Sequence, residues 1–336
     1  FAKAPGEPTS LELNLAFQAG GLAVDGYLGA TRRFAADFDA APGAERPFAF
    51  RRAALEFGGE LAEFRAESGV TLNGSLPKLG VDEWLALSRS GADADTRGNW
   101  SGVFAGADLD VAEFSVFGQR LGSTRVSARR RTDDWQFELD SDAIAGTLLV
   151  PMDLRGEPQI VAVMRRLYLN AGNGAAGGGG IGDIDPRELP GLQLHADEFG
   201  IGTRQVGRLD AEVLADPLGL RLVSFESATD SFTAQGSGGW FVGDEGATTR
   251  FAVGINSTNV GQMLAQLGFA PFVEAETAEV TASLYWPGPP ASSWLDHISG
   301  DLALRAEKGS LVDVAPGGAG RAAGLLSTSA LPRRLA

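Results

Sequence analysis

The sequence predicts a mostly β protein: an elongated, curved antiparallel sheet shaped as a gutter or groove, with a few short amphipathic helices. Three observations predict it. Apolar and polar residues alternate with a period of two along most of the chain. Glycine, 46 of 336 residues, is spread between short apolar runs, where it marks the turns and bulges of β structure. Two short segments carry the three-and-four spacing of an amphipathic helix.

Taken in order, Leu11, Leu13, Leu15 and Phe17 alternate with Glu12, Asn14 and Ala16, as a strand with one dry and one wet side does. Val70-Thr-Leu-Asn-Gly is strand-like and leads into Val81, Trp84 and Leu85, an amphipathic helix with Asp82 near its N-cap. Phe137 and Leu139 resume the alternation. The stretch 171–184 is a glycine-rich loop without the Gly-Lys-Ser/Thr of a phosphate-binding loop. Beyond it Leu192 and Leu194, then Leu209, Ala211 and Val213, then Leu218, Leu220 and Leu222 mark three strands. Phe251 and Val253 mark another. Val260, Met263, Leu264 and Leu267 form the second short helix, its N-cap among Ser257, Thr258 and Asn259. Leu302 and Leu304 belong to a last strand.

The chain also repeats. Leu109, Glu113, Phe114 and Gly122 recur as Leu194, Glu198, Phe199 and Gly207, at a constant offset of 85 residues. Apolar parity is preserved around them, which points to a duplicated β unit. Residues 1–336 therefore read as a fragment of one elongated groove, with repeat units of about 1–170 and 185–336 joined by the loop 171–184.

Composition removes several function classes. A net charge of −15 disfavours nucleic acid as a partner. With no cysteine and two histidines, His195 and His297, thiolate chemistry and Cys- or His-rich metal sites are excluded. No run reaches the roughly 18–20 apolar residues of a membrane-spanning helix. The spacing Gly318-Ala-Gly320-Arg-Ala-Ala-Gly324 is that of a dinucleotide loop only if a parallel βαβ unit surrounds it, and the flanking pattern is antiparallel. Asp93 and Asp95, Asp133 and Asp134, and Asp183 and Asp185 sit beside turn residues and read as turn caps. His195, between Leu194 and Ala196, reads as an exposed strand residue. The tryptophans read as packing. Asn73, Asn99 and Asn256 match the glycosylation sequon. The sequence offers no catalytic residue, no metal ligand and no cofactor site.

Four segments carry a family resemblance: Gly317–Leu335 (GGAGRAAGLLSTSALPRRL), Ile144–Pro151 (IAGTLLVP), Met164–Leu169 (MRRLYL) and Asp185–Leu194 (DPRELPGLQL). Together they resemble the AsmA-like proteins of Gram-negative bacteria over about residues 135–335. Ala322, Ala323, Thr328 and Ser329 depart from the family's usual apolar residues or glutamine. The N-terminal third matches in its alternation and in the helix at Asp82-Glu-Trp84. The resemblance implies a segment of a periplasmic lipid-transfer bridge, held at the inner membrane by an N-terminal helix outside this chain. It implies a passive hydrophobic conduit for phospholipid acyl chains between inner and outer membranes, with no cofactor and no enzymatic step. The apolar residues named above, from Leu11 to Leu304, would line the groove. A non-enzymatic scaffold for outer-membrane or envelope components remains the alternative reading.

Overall fold

A computed structural model describes residues 10–29, 32–41, 47–58, 62–82, 103–116, 118–153, 159–170, 184–244, 246–269, 273–290 and 297–311. These residues form seventeen strands, one α-helix and one 3₁₀ turn. The chain divides into two compact units, Phe1–Leu154 with Ile160–Val163, and Arg155–Gln159 with Met164–Ala336. Three features of the sequence lie outside the described residues: most of the predicted helix after Val81, the glycine-rich loop up to residue 183, and the C-terminal signature. Asp93, Asp95, Trp84, Trp100, Trp294 and Asn99 lie there too.

The first unit holds β1 (Leu11–Gln18), β2 (Gly21–Leu28), β3 (Arg32–Ala40), β4 (Phe48–Phe57), β5 (Gly69–Gly80), β6 (Phe104–Val116), β7 (Gln119–Arg130), β8 (Asp134–Asp140) and β9 (Ile144–Pro151). Each strand pairs with the next. Cross-strand partners share a face, so the registers trace which residues lie together. Leu13, Gly26, Phe34, Leu55, Leu72, Ala107, Ala128, Phe137 and Leu148 form one unbroken row. The predicted alternation of Leu11, Leu13, Leu15, Phe17, Phe137 and Leu139 therefore becomes one apolar face of this unit. At β6 and β7 that face is closed: Leu109, Val111, Phe114, Val126 and Ala128 are buried.

One expectation is corrected here. The sheet is not antiparallel throughout: β4 pairs with β5, and β5 with β6, in parallel. A parallel pair needs a connection that crosses the sheet, and the link after β4 supplies one. The Arg65 guanidinium lies 3.1 Å from Asp108 of β6, and Arg52 of β4 stacks 4.1 Å from the Phe64 ring. Both Arg52 and Asp108 point to the polar face, so the link crosses there. Beneath it the polar residues Glu56, Thr71 and Asn73 are buried. Asn73, 1 % exposed, is thereby closed to the glycosylation its sequon suggested. Asp82 lies in the first helical residues, near the N-cap as expected, and its carboxylate accepts a 3.2 Å hydrogen bond from the Gly118 amide.

The second unit contains the end of β10 (Gln159–Leu169), the 3₁₀ turn Pro186–Glu188, and β11 (Gly191–Ile201), β12 (Arg204–Asp216), β13 (Gly219–Ala228), β14 (Phe232–Gly243), β15 (Gly246–Ser257), α1 (Val260–Gln266), β16 (Val273–Pro287) and β17 (Ser299–Leu311). From β11 onward it is an antiparallel meander. Helix α1 starts where a cap permits it: the Asn259 side chain accepts a 3.0 Å bond from the Gln262 amide. It buries Val260, Met263 and Leu264 against Phe232, Ala234 and Ala278. Asp185 caps the 3₁₀ turn, accepting from the Arg187 amide at 3.0 Å. The Arg187 side chain holds the Asp185 carboxyl down to about 2.

The duplicated segments form equivalent hairpins. Phe114 pairs with Gly122 and Phe199 with Gly207, each beside a register shift at the same place. Both glycines have positive φ, 70° and 85°, a conformation that strains other residues. The ion pair Asp110–Arg125 of the first hairpin occupies the positions of His195–Asp210 in the second.

Candidate functional site: the apolar face of the second unit

Three cross-strand rows build this face. Leu192, Val213, Leu222, Gly238, Phe251, Leu284 and Gly300 are successive partners. So are Leu194, Ala211, Phe225, Gly236, Val253, Ala282 and Leu302, and so are Ala196, Leu209, Ser227, Ala234, Ile255, Val280 and Leu304. Eleven sequence positions named from alternation are thus brought onto one surface: Leu192, Leu194, Leu209, Ala211, Val213, Leu220, Leu222, Phe251, Val253, Leu302 and Leu304. Leu218 is not among them. It lies in the turn before β13, with its amide bonded to the Asp216 carboxylate at 3.0 Å and its side chain exposed.

The face has two closed flanks and an uncovered band. Toward one end of the strands α1 lies over Ala234 and Ala278, with Phe225, Ile255 and Leu267 packed around it. Toward the other end Leu220, Trp240, Thr249 and Trp286 are partners in one row. Trp240 and Trp286 are buried, as their reading as packing residues requires. The Trp286 indole N–H donates to the Pro289 carbonyl at 3.2 Å, and the Thr249 hydroxyl to the Gly288 carbonyl at 2.7 Å. Between the flanks Leu222, Phe225, Phe251, Val253 and Leu284 are half-buried, and Leu302, on the last strand, is exposed. A depression of about 670 Å³ lies over β13–β17. Its walls, including Glu226, Gln235, Thr281, Ser283 and Asp301, belong to the rows between the apolar ones, so it is a furrow of the opposite, polar face.

Alternation missed several members of the surface. Phe225 follows Leu222 out of phase because β13 carries a bulge between them: both pair on the apolar face, although three positions apart. Nothing local in the sequence announces that extra residue. Val280, Ala282, Leu284 and Trp286 do alternate, and that signal was there to be read.

The polar face is organised by cross-strand charge. His195 lies on it, with Nδ1 2.6 Å from Asp210 and Nε2 3.3 Å from Asp197. The hydrogen bond to Asp210 raises the His195 pKa above its ordinary value; burial opposes the rise and Asp197 adds to it. In the first unit burial pushes the Asp108 carboxyl up. Hydrogen bonds from Ser127 and Arg65 and the charge of Arg129 outweigh it, and the net shift is downward. Among the described residues no cluster of acidic or histidine side chains is arranged to hold a metal ion. No helix among them is long and apolar enough to cross a membrane. What the second unit offers chemically is a band of apolar surface between two flanks.

The comparisons with known proteins agree with this geometry. The family described as YhdP protein matches the chain over residues 1–336, extending the likeness through the N-terminal third. The intermembrane phospholipid transporter YhdP of Escherichia coli (strain K12) is 22% identical over 279 residues, covering 80% of this chain and 21% of the relative. The chain thus spans about one fifth of the length of that relative. No solved structure matches. The match over the whole chain places it in the YhdP family.

Proposed function

We propose that this chain, as a member of the YhdP family, is a segment of a periplasmic lipid-transfer bridge. It is a passive, non-enzymatic conduit whose apolar face carries phospholipid acyl chains between inner and outer membranes. The inner-membrane attachment is made by a part of the protein outside this chain. The observation that carries the reading is the apolar band between α1 and the Trp240–Trp286 row, seven strands wide and half-open. Each methylene moved from water to such a surface gains about 0.8 kcal/mol. A lipid lifted into water therefore pays for every carbon of its tails, whereas one sliding from row to row stays near constant free energy. No side chain needs to react. The acidic polar face keeps the outside hydrated.

The test is to purify the full 336-residue chain without detergent and identify extracted lipid by mass spectrometry. Leu222→Glu with Val253→Glu serves as the charged control. The reading expects phospholipid near one per chain or more in the parent, lost in the folded control. No lipid in either would favour the scaffold reading instead.

A further inference from the structure

The middle of the apolar face has an unusual floor. Gly236 and Gly238 present no side chain there, and their partners on the neighbouring strands are Phe225 of β13 and Phe251 of β15. The two rings meet over β14, with centroids 5.2 Å apart and planes 14° from parallel. A Cβ built on Gly236 would lie 2.5 Å from the Phe225 ring, and one on Gly238 would lie 3.1 Å from the Phe251 ring. The rings, together with the Ala252 and Arg250 carbonyl oxygens of β15, close the space that side chains on β14 would need. They are also boxed in along the strand. Phe225 packs against the cluster around α1, and two residues beyond Gly238 stands the buried Trp240.

Such a stacked pair is rigid. A leucine or valine surface adapts to a guest by changing rotamer. Two stacked rings seated on backbone have little such freedom. An extended polymethylene chain running over the pair meets both rings. A methyl branch lifts the chain away, and dispersion contacts fall off within a fraction of an ångström. We propose that the Phe225–Phe251 platform, on its Gly236–Gly238 seat, selects straight acyl chains over methyl-branched ones. This proposal rests on the conduit reading above.

The experiment incubates the full chain with vesicles containing equal amounts of a straight-chain and a diphytanoyl phospholipid of the same headgroup. The chain is re-isolated, and bound lipids are counted by mass spectrometry. The parent is expected to retain the straight-chain lipid in about tenfold excess or more, the discrimination a misfitting methyl group commands in an apolar site. In Phe225→Leu with Phe251→Leu the ratio of straight-chain to diphytanoyl lipid should fall to near one, whatever the total bound. Should that variant fold poorly, Phe251→Leu alone breaks the stacked pair and should likewise erase the excess. Equal uptake of both lipids by the parent, or an excess that survives both variants, overturns the proposal while leaving the conduit intact. A parent that takes up neither lipid overturns the conduit and the proposal with it.

Discussion

The two units are built from the same hairpin, yet their described connections lie over different faces. In the first, the parallel step from β4 to β5 forces the chain across the sheet, and it crosses on the polar side, strapped by Arg65–Asp108 and Phe64–Arg52. In the second, the meander needs no crossing from β11 onward. Its one described helix instead folds onto the apolar side. Connectivity thus decides what is buried. A crossover with charged partners buries polar groups such as Glu56 and Asn73. A helix with an apolar stripe closes one flank of the apolar face and leaves the band beside it open.

The sharpest way to break the comparison is at the duplicated glycines. Gly207→Ala puts a Cβ 2.1 Å from the Ala228 carbonyl oxygen, whereas Gly122→Ala meets nothing within 4 Å. The first should cost about 4 kcal/mol, combining left-handed strain with overpacking, and the second about 1–2 kcal/mol, from strain alone. Denaturation followed by hydrogen exchange in each hairpin separates the two. Equal costs would mean that the Ala228 carbonyl does not crowd Gly207 as the structure has it.

Next in size is the helix flank. Met263→Ala should destabilise the second unit by about 3 kcal/mol, with amide protection lost in α1 and the nearby ends of β14 and β16. Protection in the first hairpin should not change. A smaller effect is expected at the strap. Arg65→Ala removes one charge-assisted hydrogen bond to Asp108 and should cost about 1 kcal/mol, seen as faster proteolysis at residues 58–68.

The smallest effect concerns the paired polar positions. His195, at the position that Asp110 holds in the first hairpin, is a group that titrates near neutral pH. The folded His195 pKa is raised, so its contribution to stability is complete below the unfolded value and fades as pH rises through the folded one. Because both groups are substantially exposed, the effect should stay below about 0.5 kcal/mol. An NMR titration should place His195 above its ordinary pKa of 6.5, and Asp210→Asn should bring it down. A histidine unmoved by that substitution would remove the pairing from the account.

Much of this arrangement was legible in the residues. Alternation at Leu192–Leu194, Leu209–Val213 and Phe251–Val253 gave strands and faces, because a side chain's face follows from its parity alone. The offset between Phe114–Gly122 and Phe199–Gly207 gave the repeated hairpin. The cap candidates Ser257, Thr258 and Asn259 and the spacing of Val260, Met263 and Leu264 pointed to α1, and the structure selects Asn259 among them. The parallel trio was not legible, since Leu55 and Leu72 alternate alike whichever way their strands run, and only the crossing link tells them apart. Phe225 was hidden by a bulge that shifts parity without a local signature. The platform it makes with Phe251 depends on glycines of a third strand, a relation fixed by register rather than by any one segment.

The account's central claim is that one face meets acyl chains and the other meets water. Photo-crosslinking tests it most directly. A benzophenone side chain would be placed at Leu222 or Leu284 on the apolar face, and at Gln235 or Thr281 on the polar face, in full-length chain mixed with phospholipid vesicles. The account predicts lipid adducts from Leu222 and Leu284 and essentially none from Gln235 and Thr281. Adducts from both faces alike, or from neither, would contradict it.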